Sequence, residues 1–302
     1  MLFSPGDETR EAALRSRVLG RLGCGLTRSI LAAAAVALLA SGDNPQARAQ
    51  HAGPLLRACA DPQNMPFSNE KGEGFENKLV DLIAAKLGLQ VAYTWLPHVV
   101  GHVARLPDGR ECDILMGYAQ GTGLIEDTNP YYRTSYVLIY RKDDPSLVGV
   151  ASLSDQRLKD KTIGIVARTP PASIMAMNGL VANARPFDSQ GDKDFASPAE
   201  DVIAAIASGE VDAGILWGPL GGYYAQGTGV PLALVPLVKE KAGPATVYGI
   251  TMGVRPNEPE WKHRLNKLIA ENQGDIYAML RAYNVPLLDE NGDLIEAPTA
   301  ER

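Results

Sequence analysis

Histidine, cysteine and aromatic side chains are scarce in this chain. Its 302 residues include four His and three Cys, and aromatics make up 6%. No ligand spacing links the few His and Cys, so neither a metal centre nor any other cofactor is expected. His98 and His102 stand four apart, but no H-E-x-x-H pattern accompanies them, and they read as surface residues. G-x-S-x-G, a P-loop and Ser, His and Asp in a recognisable order are all missing. With no activated nucleophile or acid–base pair, no enzyme is expected. A basic excess is missing too. The formal net charge is −6 and no basic stripe alternates with aromatics, which excludes nucleic acid as the expected partner. No apolar run reaches the ~18 residues of a membrane helix. Disorder is excluded as well, because 45% hydrophobic and 21% charged residues is a globular composition.

What is present begins with a leader. Arg10, Arg15, Arg17, Arg21 and Arg28 precede the apolar run Ile30 to Ala40, and Ala47-Arg48-Ala49 makes an A-x-A site. This is the layout of a signal peptide spanning residues 1–49 and cleaved after Ala49, so export is expected. Cys24 would leave with it. The remaining pair, Cys59 and Cys112, is compatible with a disulfide if the strands that carry them are neighbours; two buried free thiols are the alternative.

The stretch from Cys59 to Asn77 organises the rest. Leu55 to Ala60 is a short apolar run that reads as a buried strand, stopped by Asp61-Pro62. A polar, turn-forming loop follows. From Phe75 the period becomes helical, with Phe75, Leu79, Leu82, Ile83 and Leu87 on one face and Gly88 as the stop. Gln90 to Leu96 predicts a second strand, Val99 to Leu106 a short helix, and Cys112 to Tyr118 a third strand. Strand, helix, strand, helix, strand implies a parallel sheet with right-handed crossovers. The pattern then restarts: strands at Tyr136–Arg141 and Thr162–Ala167, helix signals at Ala172–Gly179, a helix at Ala199–Gly209, a strand at Glu210–Trp217. Val247–Val254 predicts a further strand, and Trp261–Asn272 and Ile276–Tyr283 predict closing helices. Residues 289–302 are acidic and predict a flexible tail.

Two α/β units imply an α/β protein of two lobes, and ligands prefer lobe interfaces and the carboxyl ends of strands. The loops at Asp61, Gln120, Arg168 and Trp217 are therefore expected to converge on one cleft. Its candidate ligand-binding residues are Asp61, Asn64, Tyr118, Gln120, Arg168, Thr169 and Trp217. Asp61, Asn64 and Gln120 would supply polar contacts, Arg168 a grip for an anion, and Trp217 a wall. Tyr131 and Tyr132 read as hinge packing.

Several motifs carry a family resemblance. Gly74-Phe75-Glu76-Asn77 opening a helix, Cys112-Asp113-Ile114 on a strand, Asn129-Pro130-Tyr131-Tyr132, Val211-Asp212-Ala213 and Tyr248-Gly249-Ile250 are similar to landmarks of type II periplasmic solute-binding proteins. The resemblance spans residues 54–288. It implies two lobes, each a mainly parallel sheet flanked by helices, joined by two chain crossings near Tyr132–Ser135 and Gly243–Tyr248. Lobe one would be 54–131 plus 248–288, lobe two 136–243, and the location the periplasm. More narrowly, CADPQNMPFSN followed by GEGFEN, with NPYYRTSYV downstream, resembles the MoxJ/XoxJ proteins that accompany PQQ-dependent methanol dehydrogenases. This implies an accessory partner of such a methanol or alcohol dehydrogenase and of its cytochrome c. Capture of a small polar solute for a membrane transporter is the alternative. The chain departs from amino-acid binders of the wider family. Those carry Thr-x-x-x-Arg after the third strand to clamp a carboxylate, whereas no arginine lies between Gly117 and Pro130 here. They also place an acid where this chain has Trp217, which cannot neutralise an ammonium although it can stack on a cation.

Overall fold

A computed structural model describes residues 54–96, 111–121, 125–188 and 197–296. The leader, the helix expected at Val99–Leu106, and His98 and His102 lie outside the described residues. Strand β1 (Leu55–Ala60) ends at Asp61-Pro62 as its proline requires. The loop beyond it contains a small hairpin, β2 (Gln63–Asn64) and β3 (Ser68–Asn69), which its polar composition did not reveal. Helix α1 (Phe75–Leu87) buries Phe75, Leu79, Val80, Ile83 and Ala84. Gly74 precedes it where a Cβ would collide with the Phe67 carbonyl, so only glycine fits. Asn77 Oδ1 accepts from the backbone N–H of Gly74 and of Asn69, tying helix start to hairpin. Gly88 ends α1 in the left-handed region at φ 67°.

The remaining strands are β4 (Gln90–Trp95), β5 (Ile114–Ala119), β6 (Glu126–Asp127), β7 (Tyr132–Arg141), β8 (Ile163–Val166), β9 (Ala184–Phe187), β10 (Ala213–Trp217), β11 (Leu232–Pro236) and β12 (Val247–Val254). The helices are α2 (Pro170–Met177), α3 (Pro198–Ser208), α4 (Gly218–Gln226), α5 (Pro259–Glu271) and α6 (Gln273–Ala282). One continuous sheet runs β4-β1-β5-β12-β7-β10-β8-β9, with β11 on β7 and β6 on β12. Pairs β1–β4, β1–β5, β8–β10 and β8–β9 are parallel, as the strand–helix alternation requires. The middle strands, β12 and β7, run antiparallel to their neighbours.

Strand β7 is longer than the expected Tyr136–Arg141. It starts at Tyr132 because Tyr132–Ser135 pairs with β12, while the following residues pair with β10 and β11. A second departure lies at Glu210–Asp212, expected in a strand. Gly209 caps α3 in the left-handed region, and Asp212 turns its carboxylate to the Thr162 N–H, so β10 begins only at Ala213. A third lies at the C-terminus. Of the tail expected at 289–302, residues 297–302 lie outside the described residues, and the part before them folds back: Leu288 bridges Leu294, and Ile295 donates its N–H to the Leu287 carbonyl and packs on the core.

The largest core cluster joins α1, α5 and α6 to β1, β5 and β12 around Phe75, Leu79, Ile114, Met252 and Leu265. In the second half, β7, β8 and β10 bury one face against α2 and the segments around Leu147 and Leu158. Their other face lies against α3 and α4. Below the first half, Cys59 and Cys112 form a disulfide with Cα atoms 5.6 Å apart, packed with Leu115 and Tyr118. Asp113 next to it accepts from Arg57 Nη2 at 2.8 Å and Arg255 Nη1 at 3.0 Å. Burial alone would raise this carboxyl, but the two guanidinium partners outweigh it and hold it below its ordinary value.

The halves are also fastened by the segment after α6. Thr134 donates its hydroxyl to the Pro286 carbonyl at 2.7 Å, and Asn284 donates its amide to the Gly222 carbonyl at 3.0 Å. A Cβ on Gly222 would run into the Asn284 backbone carbonyl.

Two consequences are measurable. Replacing both Cys59 and Cys112 by alanine opens a loop of 53 residues' separation, and is expected to cost about 4 kcal/mol of unfolding free energy on chain-entropy grounds. Denaturant titration under oxidising conditions checks this against the unsubstituted chain. Gly222→Ala is expected to cost about 1–3 kcal/mol by overpacking, seen as a lowered melting midpoint. Gly227→Ala, where the nearest atom to a Cβ stands at 3.6 Å, should leave the midpoint nearly unmoved.

Candidate functional site

Ladder register decides where the strand ends meet. In the first half, β5 ends at Ala119, opposite Ile250 of β12. Ile250 in turn pairs with Tyr132 of β7. In the second half, β10 ends at Trp217, opposite Tyr136 of β7. Because β5 and β10 run in opposite senses, their carboxyl ends approach the same stretch of β7, four residues apart, or roughly 13 Å at strand rise. A sheet that reverses its strand order at such a point places its ligand crevice there.

The sequence-predicted residues fall into two groups about this junction. Asp61 follows β1 and is buried; its Oδ1 accepts the Gln63 N–H at 2.8 Å, and its carbonyl accepts the Ser68 hydroxyl. Asn64 sits in the β2–β3 hairpin, where its carbonyl accepts the Phe67 N–H. Tyr118 is buried beside the disulfide, with its carbonyl bonded by Thr251. Gln120 donates its N–H to the Gly249 carbonyl at 2.9 Å, and its side-chain oxygen lies over Gly249, where a Cβ would stand 3.0 Å away. In the second half, β8 and β10 run in parallel with Ile165 opposite Ile215, so Arg168 and Thr169 leave the sheet beside Trp217. Arg168 takes φ 65°, and its side chain is 74% exposed and pairs with Asp188 at 3.4 Å. Thr169 stands at the N-cap position of α2, but its hydroxyl donates back to the Val166 carbonyl and caps no helix N–H.

Between the two groups stand three aromatic rings. Trp217 meets Tyr136 with centroids 5.2 Å apart and planes at 61°, and meets Tyr248 at 5.7 Å and 75°. All three residues are partly exposed. Burial pushes the Tyr136 phenol up to about 12, so it stays neutral at physiological pH. Tyr136 and Tyr248 were not among the predicted site residues. The signal for them was position, since each borders one of the expected chain crossings.

Glu76 was also missed. It is the second residue of α1, is 8% exposed, and shares the apolar stripe with Val80 and Ile83. An acid in that stripe was the readable sign. Its carboxyl lies against Gly117, where a Cβ would collide with it. Gly117 takes φ 72° at a bulge in β5, where Met116 and Gly117 together face β12 between the Leu115–Gly253 and Tyr118–Thr251 pairs. The Gly117 N–H donates to the Tyr131 hydroxyl at 3.1 Å. No hydrogen bond to the Glu76 carboxylate forms among the described residues, and burial pushes this acid up to about 8.

A separate shallow depression of about 520 Å³ lies between α3 and α4, lined by Glu200, Ile203, Tyr223, Tyr224 and Thr228. None of the predicted residues lines it, and it lies away from the strand ends, so the register-defined junction is the stronger candidate. Among the described residues no group of three or more His, Cys, Asp or Glu converges as metal ligands would.

The crystal structure of periplasmic binding protein XoxJ from Methylobacterium extorquens AM1 is 40% identical, with a TM-score of 0.65, over 78% of this chain and all of that one. The chain belongs to the MoxJ/XoxJ family of periplasmic binding proteins. Protein MoxJ of Paracoccus denitrificans is 27% identical over 248 residues, 77% of this chain and 89% of MoxJ. The structure of MxaJ from Methlophaga aminisulfidivorans MPT shares the fold at a TM-score of 0.68 and 23% identity, over 77% of this chain and all of that one. No family model matches the chain. The α/β periplasmic-binding-protein fold expected from the motifs is therefore the one observed.

The acid against Gly117 makes stability pH-dependent. Its folded-state value of about 8 exceeds the ordinary 4.5, so the folded form holds the proton more tightly. Its contribution is full below the ordinary value and is lost as pH rises towards 8, at up to about 1.4 kcal/mol per pH unit. Glu76→Gln, which keeps the shape and cannot ionise, is expected to flatten that decline in denaturant midpoints measured from about pH 5 to about pH 9.

Proposed function

We propose that this chain is an exported accessory protein of a PQQ-dependent methanol or alcohol dehydrogenase and of its cytochrome c, with no catalysis of its own. The observation that carries this reading is the 40% identity to XoxJ across the whole of that protein. The junction supports it. Amino-acid capture needs a carboxylate clamp and an ammonium clamp, and the residues here supply neither: no arginine lies between Gly117 and Pro130, and Trp217 ends β10. Arg168, the cation among the predicted site residues, is turned out towards Asp188.

In this proposal the leader is cleaved after Ala49 and delivers the protein to the periplasm. Residues 54–131 plus 248–288 form one lobe and residues 136–243 the other. Asp61, Asn64, Tyr118, Gln120, Arg168, Thr169 and Trp217 border the groove between them, which receives a segment of the dehydrogenase. The second reading, capture of a small polar solute for a transporter, is favoured by the convergence of strand carboxyl ends at Tyr132–Tyr136.

Two measurements separate them. The mature chain, immobilised, is expected to retain the PQQ-dependent dehydrogenase from a periplasmic extract of the same cells, and the retained protein is identified by its quinone-dependent alcohol oxidation. Thermal shift against a panel of polar solutes without quaternary ammonium groups is expected to show no large stabilisation. A saturating solute at 100 times its Kd would add about 2.7 kcal/mol; a shift of that size with no dehydrogenase retained would replace the first reading by the second.

A further inference from the structure

We propose that the corner formed by Trp217, Tyr136 and Tyr248 binds a small quaternary or N-methylated ammonium ion. The three rings come from three strands, β10, β7 and β12, and the ladder fixes their spacing: Trp217 pairs with Tyr136, and Tyr248 pairs with Thr134 two residues before it. Both tyrosine rings stand steeply to the indole, at 61° and 75°, with centroids at 5.2 and 5.7 Å. In an edge-to-face contact one ring keeps its π-faces clear of its neighbour, and all three residues here retain solvent exposure. A cation seated in such a corner lies within about 6 Å of more than one ring centroid, the reach of a cation–π interaction.

The chemistry of the corner selects the class of cation. The rings are uncharged, and the Tyr248 hydroxyl already donates to the Ala245 carbonyl at 2.9 Å, which holds its ring in place. No carboxylate hydrogen-bonds to any of the three rings among the described residues. A primary ammonium or a guanidinium carries N–H groups that must each find an acceptor when water is removed. A quaternary ammonium carries none, is weakly hydrated for its charge, and is held by ring faces alone. Elsewhere in the protein the π-faces of Tyr283, Phe187 and Tyr277 are taken by Lys78, Arg185 and Arg281. No such contact to Trp217, Tyr136 or Tyr248 is seen among the described residues. The site stands independently of any dehydrogenase partner.

Titration of the full chain with tetramethylammonium chloride and with choline chloride, at constant ionic strength, tests the assignment. Calorimetry reads binding, and quenching of tryptophan emission reports it at the site. Saturable binding is expected for both, with choline favoured over its uncharged isostere 3,3-dimethylbutan-1-ol by about tenfold or more, and ammonium chloride without effect. Tyr248→Phe, which keeps the ring, is expected to retain affinity, and Tyr248→Leu to lose about fivefold or more. Trp217→Leu is expected to abolish binding while the far-ultraviolet circular dichroism is unchanged. Equal affinity for choline and the isostere, equal affinity of the Phe and Leu variants, or no saturation up to about 10 mM would each overturn the proposal.

Discussion

The ladder between β7 and β12 is the constraint on which the rest of the structure depends. Tyr132–Ser135 pairs with Val247–Ile250, and every other element of the second half hangs from the continuation of β7. Backbone groups in such a strand must all be paired when buried. The ladder therefore passes from β12 to β10 and β11 along one unbroken strand, with Thr134 and Ser135 fully buried at the handover. Close packing reinforces it. Gly218 and Gly222 on α4 lie so near to Pro286 and Asn284 that side chains would not fit. The two halves thus share a strand and are also fastened behind it by the segment following α6.

That arrangement explains the character of the junction. Antiparallel central strands bring the carboxyl ends of two otherwise parallel sets of strands to face one another, which is where α/β sheets leave room for ligands. What they present here includes the Trp217, Tyr136 and Tyr248 rings, the Gln120 amide with the Arg133 guanidinium near it over Gly249, and the exposed backbone of Gly117. The one acid near the bulge, Glu76, is kept neutral well above its usual range by burial. The strong ion pairs lie elsewhere, above all the Arg57–Asp113–Arg255 set beside the disulfide, where they brace the first half instead of gripping a ligand. Under the proposed function, the aromatic corner suits a weakly hydrated or largely apolar partner better than a zwitterion, because its rings would not repay the desolvation of two opposite charges.

Much of the framework was legible in local patterns. Strand β1 with its Asp61-Pro62 stop and α1 with its Gly88 stop stand where apolar periodicity and turn chemistry put them, and the cysteine pair is bridged as expected if its strands are neighbours. Strands β9 and β11 were not legible. Each is short and carries a proline, Pro186 or Pro236, which argues locally against a strand. Both survive because they lie at sheet margins, where a missing N–H costs little. The hairpin β2–β3 escaped notice for a related reason: Gln63, Asn64, Ser68 and Asn69 are turn formers by propensity, and pairing two residues with two leaves no periodic trace. At the C-terminus, acidic composition concealed Leu294 and Ile295, whose contacts turn the chain back onto the core.

The order of strands and helices, their stops and the polar character of the connecting loops were determined by the sequence alone, since each depends on spacing within a dozen residues. Which strands became neighbours, that β7 serves both halves, that Tyr136, Tyr248 and Trp217 meet at one corner and that Glu76 is sealed against Gly117 were decided only by the tertiary structure. The physical reason is range. A turn or a helical stripe is set by backbone sterics and side-chain period close by in the chain, whereas ladder partners and buried charges are chosen by residues tens of positions or more apart, whose proximity no local pattern encodes.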